Sequence, residues 1–328
     1  MANISTRFFG LDLKSPVIAA SSSMTGHAEQ VIKLAEAGAG AIVLKSIFEE
    51  EIFSELQEEL SLRSPFNSDP EYLDYFDYVI KEETLRKYLH LISDTKARTT
   101  VPIVASINCV SSSDWTLFAR KIEEAGADAL ELNMFVTPSD ASKTSDNSEN
   151  FYFETIQKVL QVVKIPVTVK ISHYFSNLAG MVKKLSETGV AGITIFNRFY
   201  SPDIDIQSES VTVADVLSTP NDYLLPLKWT GILSGQIKIN LSATSGIHSA
   251  ETALKFLLSG ASAVQIASVI YNEGPSAITK MNQGISDWMD QKGYKTIADF
   301  QGSLSQAATS AQAWERTQFM KYFGEKTY

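Results

Sequence analysis

Short apolar runs alternate with amphipathic stretches from one end of the chain to the other. The runs are rich in Val, Ile and Ala, and continuous runs of this kind are typical of parallel strands buried on both faces. The pattern predicts eight strands: Val17–Ser21, Ala41–Ser46, Ile103–Ile107, Ala129–Asn133, Val167–Ile171, Gly192–Asn197, Ile237–Ala243 and Ala263–Ser268.

The stretches between the runs have the apolar spacing of helices that pack one face against a sheet. They predict helices over Ala28–Ala37, Glu83–Thr95, Trp115–Ala125, Phe151–Val163, Leu178–Glu187, Leu224–Leu233 and Ala250–Leu258. Ser249 stands directly before the last helix and is predicted to cap it. The Ser112–Asp114 cluster is predicted to cap the helix that starts at Trp115.

Four glycines recur at the same place in the pattern. Gly38, Gly126, Gly189 and Gly260 each follow a predicted helix and precede small residues and an apolar strand. A helix C-cap commonly needs a positive φ, which glycine adopts without steric cost. Four such turns at this spacing indicate repeated βα units.

The chain is expected to fold as one domain, residues 1–328, because no linker rich in Pro, Gly or Ser separates two halves. Eight strands alternating with helices predict an α/β fold, a (β/α)8 TIM barrel. A doubly wound sheet would need a glycine fingerprint after its first strand, and Ser22–Gly26 contains none. Two long connections, Ile47–Lys81 and Arg198–Tyr223, are predicted to be lids, interfaces or surface excursions.

Composition and charge narrow the class of protein. The 328 residues are 44% hydrophobic, and the net charge is -10 with acidic and basic residues interleaved. This balance argues against a nucleic-acid footprint or a membrane-surface patch and favours a small-molecule partner. A single cysteine, Cys109, excludes a disulfide framework and a Cys-rich metal site, and the four His residues are too scattered to predict a metal site. With no apolar run long enough to span a membrane and no targeting segment, a cytoplasmic protein is expected.

Two lysines close strands that are otherwise apolar. The chemistry of an α/β barrel gathers where its strands end, and Lys45 and Lys170 lie at two such ends. Burying an amine is unfavourable unless an anion meets it, so the two lysines suit a negatively charged ligand. Each could instead reach solvent or pair with Glu131, and Lys170 could form an imine in an aldolase-type reaction.

Small and polar residues close other strands. Thr244–Ile247 follows the seventh strand and Ala267–Ser268 ends the eighth. In phosphate-binding barrels these two loops present backbone N–H groups to a phosphate, although a simple turn would use the same residues. Asn133 and Asn197 end the fourth and sixth strands, where each amide could anchor a polar ring or shape a turn.

Taken together, these residues resemble the dihydroorotate dehydrogenases, which are FMN-containing (β/α)8 barrels, and the cytosolic class 1 branch in particular. Leu44–Ser46 is similar to its Thr-Lys-Ser motif, Glu131–Asn133 to its Glu-Leu-Asn motif, and Ala243–Ile247 to its Gly-Thr-Gly-Gly-Ile phosphate loop. Further similarities are Val169–Lys170, Gly260–Ala261, Gln265–Ile266, Glu273–Pro275 and Lys292–Phe300. The resemblance covers residues 5–302, which leaves 303–328 as a C-terminal extension.

The resemblance implies an FMN site at the mouth of the barrel. FMN would be surrounded by Ala20, Ser21, Lys45, Ser46, Asn133, Lys170, Ser245, Gly246, Ala267 and Ser268. Asn133 and Asn197 would also bind the substrate ring, and Lys45 would count among the catalytic residues. The implied reaction is the oxidation of dihydroorotate to orotate in pyrimidine biosynthesis. The resemblance also implies a homodimer, for which the aromatic segment Phe66–Tyr78 is a predicted interface.

The catalytic base of the family has no counterpart here. The family motif continues Leu-Ser-Cys-Pro-Asn with the cysteine as base, whereas Asn133 is followed by Met-Phe-Val-Thr-Pro-Ser. An ungapped comparison places Val136 at the base position, and valine cannot accept a proton. Aligning the prolines places Thr137 there, and its hydroxyl could relay a proton if its surroundings made it more acidic.

Other departures also fall around the predicted substrate. Arg198 stands where a small serine is expected, and its guanidinium could bind a substrate carboxylate or fill space. The substrate loop of the family is matched only at its end by Ser64–Asn67, and Ala243 and Ser245 replace glycines of the phosphate loop. Two alternatives therefore remain open: an FMN enzyme for a different dihydro or unsaturated ring, and a flavin-binding protein without dihydroorotate activity.

Overall fold

The centre of the molecule is a closed barrel of eight parallel strands with helices between them, which confirms the predicted TIM barrel. The computed structural model describes residues 2–48, 70–108, 112–198 and 201–315, with the backbone alone at 70–81, 112–114 and 312. The barrel strands are Val17–Ala19, Ile42–Val43 with its continuation Ile47–Phe48, Ile103–Asn108, Ala129–Asn133, Val167–Ile171, Gly192–Ile195, Asn240–Thr244 and Ala263–Ile266.

Parallel pairing carries the sheet around a full circle. Ala263–Ile266 pairs with Val17–Ala19, and Val17–Ala19 pairs with Ile42–Val43. Ile42–Val43 and Ile47–Phe48 both pair with Ile103–Asn108, so the second predicted strand is one barrel position in two segments. Every strand end at the same rim therefore opens on one mouth.

Alternate residues of a barrel strand face its interior, and the strand Ala129–Asn133 illustrates the consequence. Ala129 belongs to the apolar cluster at the lower end of the barrel. Glu131, two residues further, reaches across the interior to Gln265. Asn133, two residues further again, lines the mouth. One strand thus passes from an apolar floor to a polar mouth.

A hairpin that the hydrophobic pattern did not predict closes the lower end of the barrel. Its strands Thr6–Phe8 and Leu11–Leu13 are antiparallel and joined by Phe9 and Gly10, both with positive φ. The two-residue turn resembles the type I′ turn of tight hairpins, but Phe-Gly is not its usual sequence, so the signal was weak. The apolar floor consists of Phe8, Phe9, Leu13, Ile18, Ala41, Val43, Val104, Ala129 and Ala263.

All seven predicted helices are present. They span Ala28–Glu36, Pro70–Arg98, Ser112–Glu124, Ser145–Leu160, Leu178–Ser186, Leu224–Leu233 and Ala250–Ser259. Ser249 caps the last of these, accepting a hydrogen bond from the Thr252 backbone N–H at 3.2 Å, as predicted. The Ser112–Asp114 cluster lies inside its helix rather than ahead of Trp115, so the predicted cap position was wrong.

An eighth barrel helix, Ser276–Lys292, had no counterpart in the predicted set. It buries Ile278, Met281, Ile285 and Met289, whose spacing is helical, so the signal was present in the sequence. Shorter helical segments are Ser23–Thr25, Ser268–Glu273, Ile297–Asp299 and Ala311–Glu315. Among the described residues, no helix is both long and apolar enough to span a bilayer.

The four glycines have the predicted backbone conformation. Their φ angles are +94° at Gly38, +95° at Gly126, +100° at Gly189 and +114° at Gly260. At Gly260 space is limited as well, because an added Cβ would collide with the side chain of Ser234. These turns return the chain from the helices to the floor of the barrel, which leaves the mouth to the loops that follow the strands.

The two long connections differ in how much the structure describes. In the first, Ile47–Phe48 extends the barrel and a helix begins at Pro70, while residues 49–69 lie outside the described parts, as does Cys109. The dimer interface predicted at Phe66–Tyr78 therefore stays a prediction, because its side chains lie outside the described parts. The second contains an antiparallel ribbon, Pro202–Asp205 paired with Ser210–Val213, which exposes its apolar residues.

The start of the C-terminal extension packs against the barrel. The backbone N–H of Gln306 donates to the carbonyl of Gly231 at 2.9 Å. The ring of Trp314 lies directly against Gly231, where an added Cβ would collide with it. Residues 303–315 thus cover the helix Leu224–Leu233, and residues 316–328 lie outside the described parts.

Candidate active site

A cavity of about 760 Å³ opens at the mouth of the barrel, where the strand ends converge. A volume of this size accommodates a cofactor or a drug-sized ligand. Twelve predicted site residues line it together: Ala20, Ser21, Lys45, Ser46, Asn133, Lys170, Asn197, Arg198, Ser245, Gly246, Ala267 and Ser268. The described residues that line the cavity include no Cys, His, Asp or Glu.

Neither of the two candidate base positions is part of that lining. The backbone N–H of Val136 donates to the phenol oxygen of Tyr152 at 3.3 Å, and the Val136 side chain packs against the core. Burial raises the pKa of Tyr152 to about 12, so the phenol keeps its proton. Thr137 is exposed. The structure therefore places the segment after Asn133 beside the cavity rather than in its described wall.

Below the mouth, a carboxylate is fully buried inside the barrel. Glu131 Oε2 accepts hydrogen bonds from Gln265 Nε2 at 2.8 Å and Thr194 Oγ1 at 3.0 Å. Its Oε1 lies 3.8 Å from Lys170 Nζ, and Nζ also approaches Gln265 Oε1 at 3.5 Å. The pairing of Lys170 with Glu131 that the sequence allowed is thus present. It fixes the ammonium at the base of the cavity.

Two asparagine amides meet at the cavity wall. Asn197 Nδ2 donates to Asn133 Oδ1 and also to the carbonyl of Lys170, at 3.3 Å in the second case. Asn197 Oδ1 is buried and has no hydrogen-bond partner among the described groups. Because a buried acceptor is costly to leave unpaired, this oxygen is suited to receive an N–H from a bound ligand.

A line of hydroxyl groups borders the other side of the cavity. Ser46 Oγ lies 3.0 Å from Ser21 Oγ and 2.7 Å from Ser106 Oγ. The Ser106 backbone N–H donates to the phenol of Tyr88 at 2.8 Å, and burial raises the pKa of Tyr88 above its ordinary value. Lys45 precedes this line and is exposed. The hydroxyls offer donors and acceptors along one edge of a ligand.

The loop after the seventh strand turns sharply. Ser245 and Gly246 both have positive φ, +79° and +69°. Successive backbone N–H groups in such a turn can form a concave anion site. Gly246 lies so close to the Asp222–Tyr223 backbone that an added Cβ would collide with the Tyr223 nitrogen, which explains why glycine is needed there.

Ser218 is a further lining residue that the sequence patterns did not single out. Its backbone N–H donates to Ser268 Oγ at 2.8 Å, and its Oγ lies 3.0 Å from His248 Nε2. It comes from the second long connection, so its position depends on tertiary folding rather than on a strand end. The only sequence feature that could have pointed to Ser218 is the short Leu217–Pro220 segment with turn residues, which is too short to be specific.

Arg198 lines the cavity, and part of its guanidinium also binds the second long connection. It donates to the carbonyls of Val216 at 3.3 Å and Leu217 at 3.1 Å, and to Asp222 Oδ2 at 3.1 Å. A guanidinium has five N–H groups, and two of them have no acceptor among the described residues. Carboxylate binding by Arg198 thus stays a prediction. Its hydrogen bonds to Val216, Leu217 and Asp222 are a structural role that the sequence did not reveal.

Replacement of Glu131 tests the buried pair. Glu131→Ala is expected to lower the free energy of unfolding by about 3–5 kcal/mol, because it leaves Lys170 buried without its counter-charge. Glu131→Gln keeps an acceptor for Gln265 and Thr194 and is expected to cost less. Denaturant unfolding of both variants measures this, with the exposed Glu124→Ala as control. Equal stability of Glu131→Ala and the control would contradict a structural pair.

Comparison with known proteins gives a consistent family. A family model described as dihydroorotate dehydrogenase matches residues 77–289. The chain is 24% identical over 314 residues to the catalytic subunit of dihydroorotate dehydrogenase B (NAD(+)) from Thermoplasma volcanium, covering 92% of this chain and 98% of the relative. The corresponding subunit from Pyrococcus abyssi is 25% identical over 313 residues, with 91% and 98% covered.

A third relative is named for a different electron acceptor, fumarate. A putative dihydroorotate dehydrogenase A (fumarate) from Aeropyrum pernix is 24% identical over 227 residues, which cover 68% of this chain and 74% of the relative. The family model spans well over half of the chain, and the predicted strand-end residues converge in one cavity. This protein belongs to the dihydroorotate dehydrogenase family.

Proposed function

We propose that this protein is an FMN-dependent oxidoreductase that oxidises dihydroorotate to orotate, the reaction that its family implies in pyrimidine biosynthesis. The observation that carries the proposal is a cavity at the barrel mouth in which the Lys170 ammonium, two asparagine amides and a sharply turned anion loop converge. These groups match the charge and polarity of a flavin nucleotide with a small polar ring beside it.

The anion loop supports a phosphate at one end of the cavity. Ser245 and Gly246 supply backbone N–H groups in a positive-φ turn, and Ser218 and Ser268 bring hydroxyls to the same side. Ala267 is small enough to leave room for a close approach. The donor set is neutral, and it would bind a phosphate through hydrogen bonds rather than through ion pairs.

The flavin ring would lie towards the lysines and asparagines. FMN, when bound, supplies the acceptor for the hydride that leaves the substrate. Lys170, held by Glu131 and Gln265, places its positive charge at the floor of the cavity, where it would stabilise negative charge on a reduced ring. Ala20, Ser21 and Ser46 border the ring on the hydroxyl-lined side.

The substrate would occupy the space between the asparagines and the outer wall. The unpaired Asn197 Oδ1 would accept a ring N–H, and Asn133 would hold Asn197 in place. Lys45 and the two remaining N–H groups of Arg198 would attract the carboxylate of dihydroorotate. Lys45 would act as a catalytic residue in this arrangement, because its side chain lines the cavity where the reacting ring would lie.

The proton acceptor is the weakest part of the match to the family. The described lining holds no Cys, His, Asp or Glu, and Thr137 is exposed outside it. A hydroxyl base at Thr137 would require a shift of its loop towards the cavity. An FMN enzyme for another dihydro or unsaturated ring, or a flavin protein without dihydroorotate activity, is therefore the alternative. The family match favours redox chemistry over an imine-forming aldolase at Lys170.

Flavin absorbance tests the proposal directly. The purified protein is expected to contain FMN, or to take it up on reconstitution, and anaerobic dihydroorotate is expected to bleach its absorbance. Dihydrouracil, a related ring without the carboxylate, serves as the comparison. Bleaching by dihydrouracil alone supports the alternative substrate, whereas bound FMN that only dithionite reduces supports a protein without this activity. Failure to bind FMN at all contradicts the proposal.

A thiol at the base position is expected to accelerate that reduction. Val136→Cys should increase the rate of flavin reduction by dihydroorotate, because it restores a group that can accept the proton once the segment after Asn133 shifts towards the cavity. The rate should rise with pH through about 8.5, the ordinary thiol pKa, since the thiolate is the base. Stopped-flow reduction from pH 6 to about 10 measures it. Thr137→Cys is the matched control, and a gain there alone would show that the proline-aligned register is the correct one.

The protein also functions as a homodimer in this proposal, and the exposed ribbon supports a second copy as partner. Pro202, Ile204, Val211 and Val213 share one face of the ribbon, and Ile204 and Val211 are 67% and 77% exposed. An apolar face of this kind is typical of an interaction surface.

Charge on that face is expected to dissociate the dimer. Ile204→Asp should raise the dimer dissociation constant about 100-fold or more, because the carboxylate would be buried against apolar groups. Thr212→Asp, on the opposite face of the same ribbon, is the control. Sedimentation velocity over a concentration series measures both. A monomeric wild type, or equal effects of the two variants, would rule out this interface.

A further inference from the structure

A short segment crosses the cavity at the end where the phosphate is proposed to bind. Residues 214–223, here named the strap, connect the exposed ribbon to the helix Leu224–Leu233. Val216, Leu217 and Ser218 of the strap line the cavity. The strap has no regular secondary structure, so its carbonyl and N–H groups must find partners outside a helix or sheet.

Arg198, just after the sixth barrel strand, donates three hydrogen bonds to the strap, two of them to backbone carbonyls. Its Nε and Nη2 donate to the carbonyls of Val216 and Leu217 at 3.3 and 3.1 Å. Its Nη1 donates to Asp222 Oδ2 at 3.1 Å. A planar guanidinium can meet two adjacent carbonyls and a carboxylate at once, which a lysine ammonium on its flexible stem cannot reproduce.

Asp222 ties this contact to the fold of the strap itself. The same Oδ2 accepts the backbone N–H of Thr219 at 2.8 Å, which closes a turn within the strap. Arg198 and Asp222 side chains are 36% and 34% exposed, so the ion pair alone is weak. Its effect comes from joining a turn and two carbonyls to one rigid strand end.

The strap in turn touches both loops of the anion site. Ser218 donates its backbone N–H to Ser268 Oγ at 2.8 Å, next to the eighth strand. The Asp222–Tyr223 backbone rests directly on Gly246, in the loop after the seventh strand. Movement of the strap would therefore expose the side of the cavity where the phosphate is proposed to lie.

We propose that Arg198 is a positioning residue that latches the strap over the anion site and so slows the release of a bound phosphate-bearing cofactor. The part that concerns FMN rests on the proposed function, whereas the latch itself does not.

Hydrogen–deuterium exchange of the protein without added cofactor tests the latch. Arg198→Ala is expected to speed deuterium uptake in peptides covering the strap, because the carbonyls of Val216 and Leu217 lose their donor and Asp222, the acceptor of the Thr219 amide, is no longer held. Arg198→Lys should not restore protection. Arg7→Ala, which removes an exposed arginine paired with Asp12 at 3.8 Å, is the matched control and should leave the strap unchanged. Strap uptake equal to wild type in Arg198→Ala overturns the proposal.

Release of FMN tests the consequence. FMN dissociation, followed by recovery of flavin fluorescence, is expected to be about tenfold faster in Arg198→Ala and Arg198→Lys, and less affected in Asp222→Asn. Thermal midpoints of the same samples separate this effect from general destabilisation. Faster exchange with unchanged FMN release would overturn the cofactor role of the latch. If the wild type binds no FMN, the proposed function fails, and the exchange experiment alone decides the latch.

Discussion

The fully buried Glu131 carboxylate constrains the interior of the barrel above its floor. A carboxyl group at that depth needs polar partners, and three other strands supply them: Thr194 and Gln265 donate to its Oε2, and Lys170 Nζ lies 3.8 Å from its Oε1. The upper half of the interior is consequently polar, while the lower half is filled by apolar side chains from the N-terminal hairpin and from the barrel strands. This division directs a cation towards the mouth, since Lys170 has its anionic partner below it and the cavity above.

The barrel could be predicted because its signals are local. Buried parallel strands produce continuous apolar runs, and Gly126 or Gly260 marks a turn whose φ other residues adopt at a cost. The N-terminal hairpin was not predicted because Phe9, a bulky residue, occupies a positive-φ position where Asn or Gly is usual. The exposed ribbon was not predicted for another reason. Ile204 and Val211 are exposed, so its strands lack the alternation of buried and exposed residues by which a strand is recognised.

The site was predictable to the extent that it is built on strand ends. Lys170, Asn133 and Ser245 follow from strand position alone, because parallel strands in a barrel end at one rim. Ser218 could not be placed in this way, since it reaches the rim through a connection whose path depends on tertiary contacts. The same holds for the guanidinium of Arg198: its chain position was evident, but its three acceptors lie 18 to 24 residues away in the sequence.

The two halves of the cavity are therefore under different constraints. Groups assigned to the cofactor stand mainly on barrel strands and tight turns, where a change disturbs Glu131 or the Gly246 contact and hence the fold. Val136 and Arg198, the positions at which the substrate side departs from the family motif, stand on connections, where they can differ without moving a strand. A barrel organised in this way can keep one cofactor while its substrate changes. Departures concentrated at Val136 and Arg198 are thus compatible with an intact flavin site, which is why the nature of the oxidised ring, rather than the presence of FMN, is the more discriminating measurement.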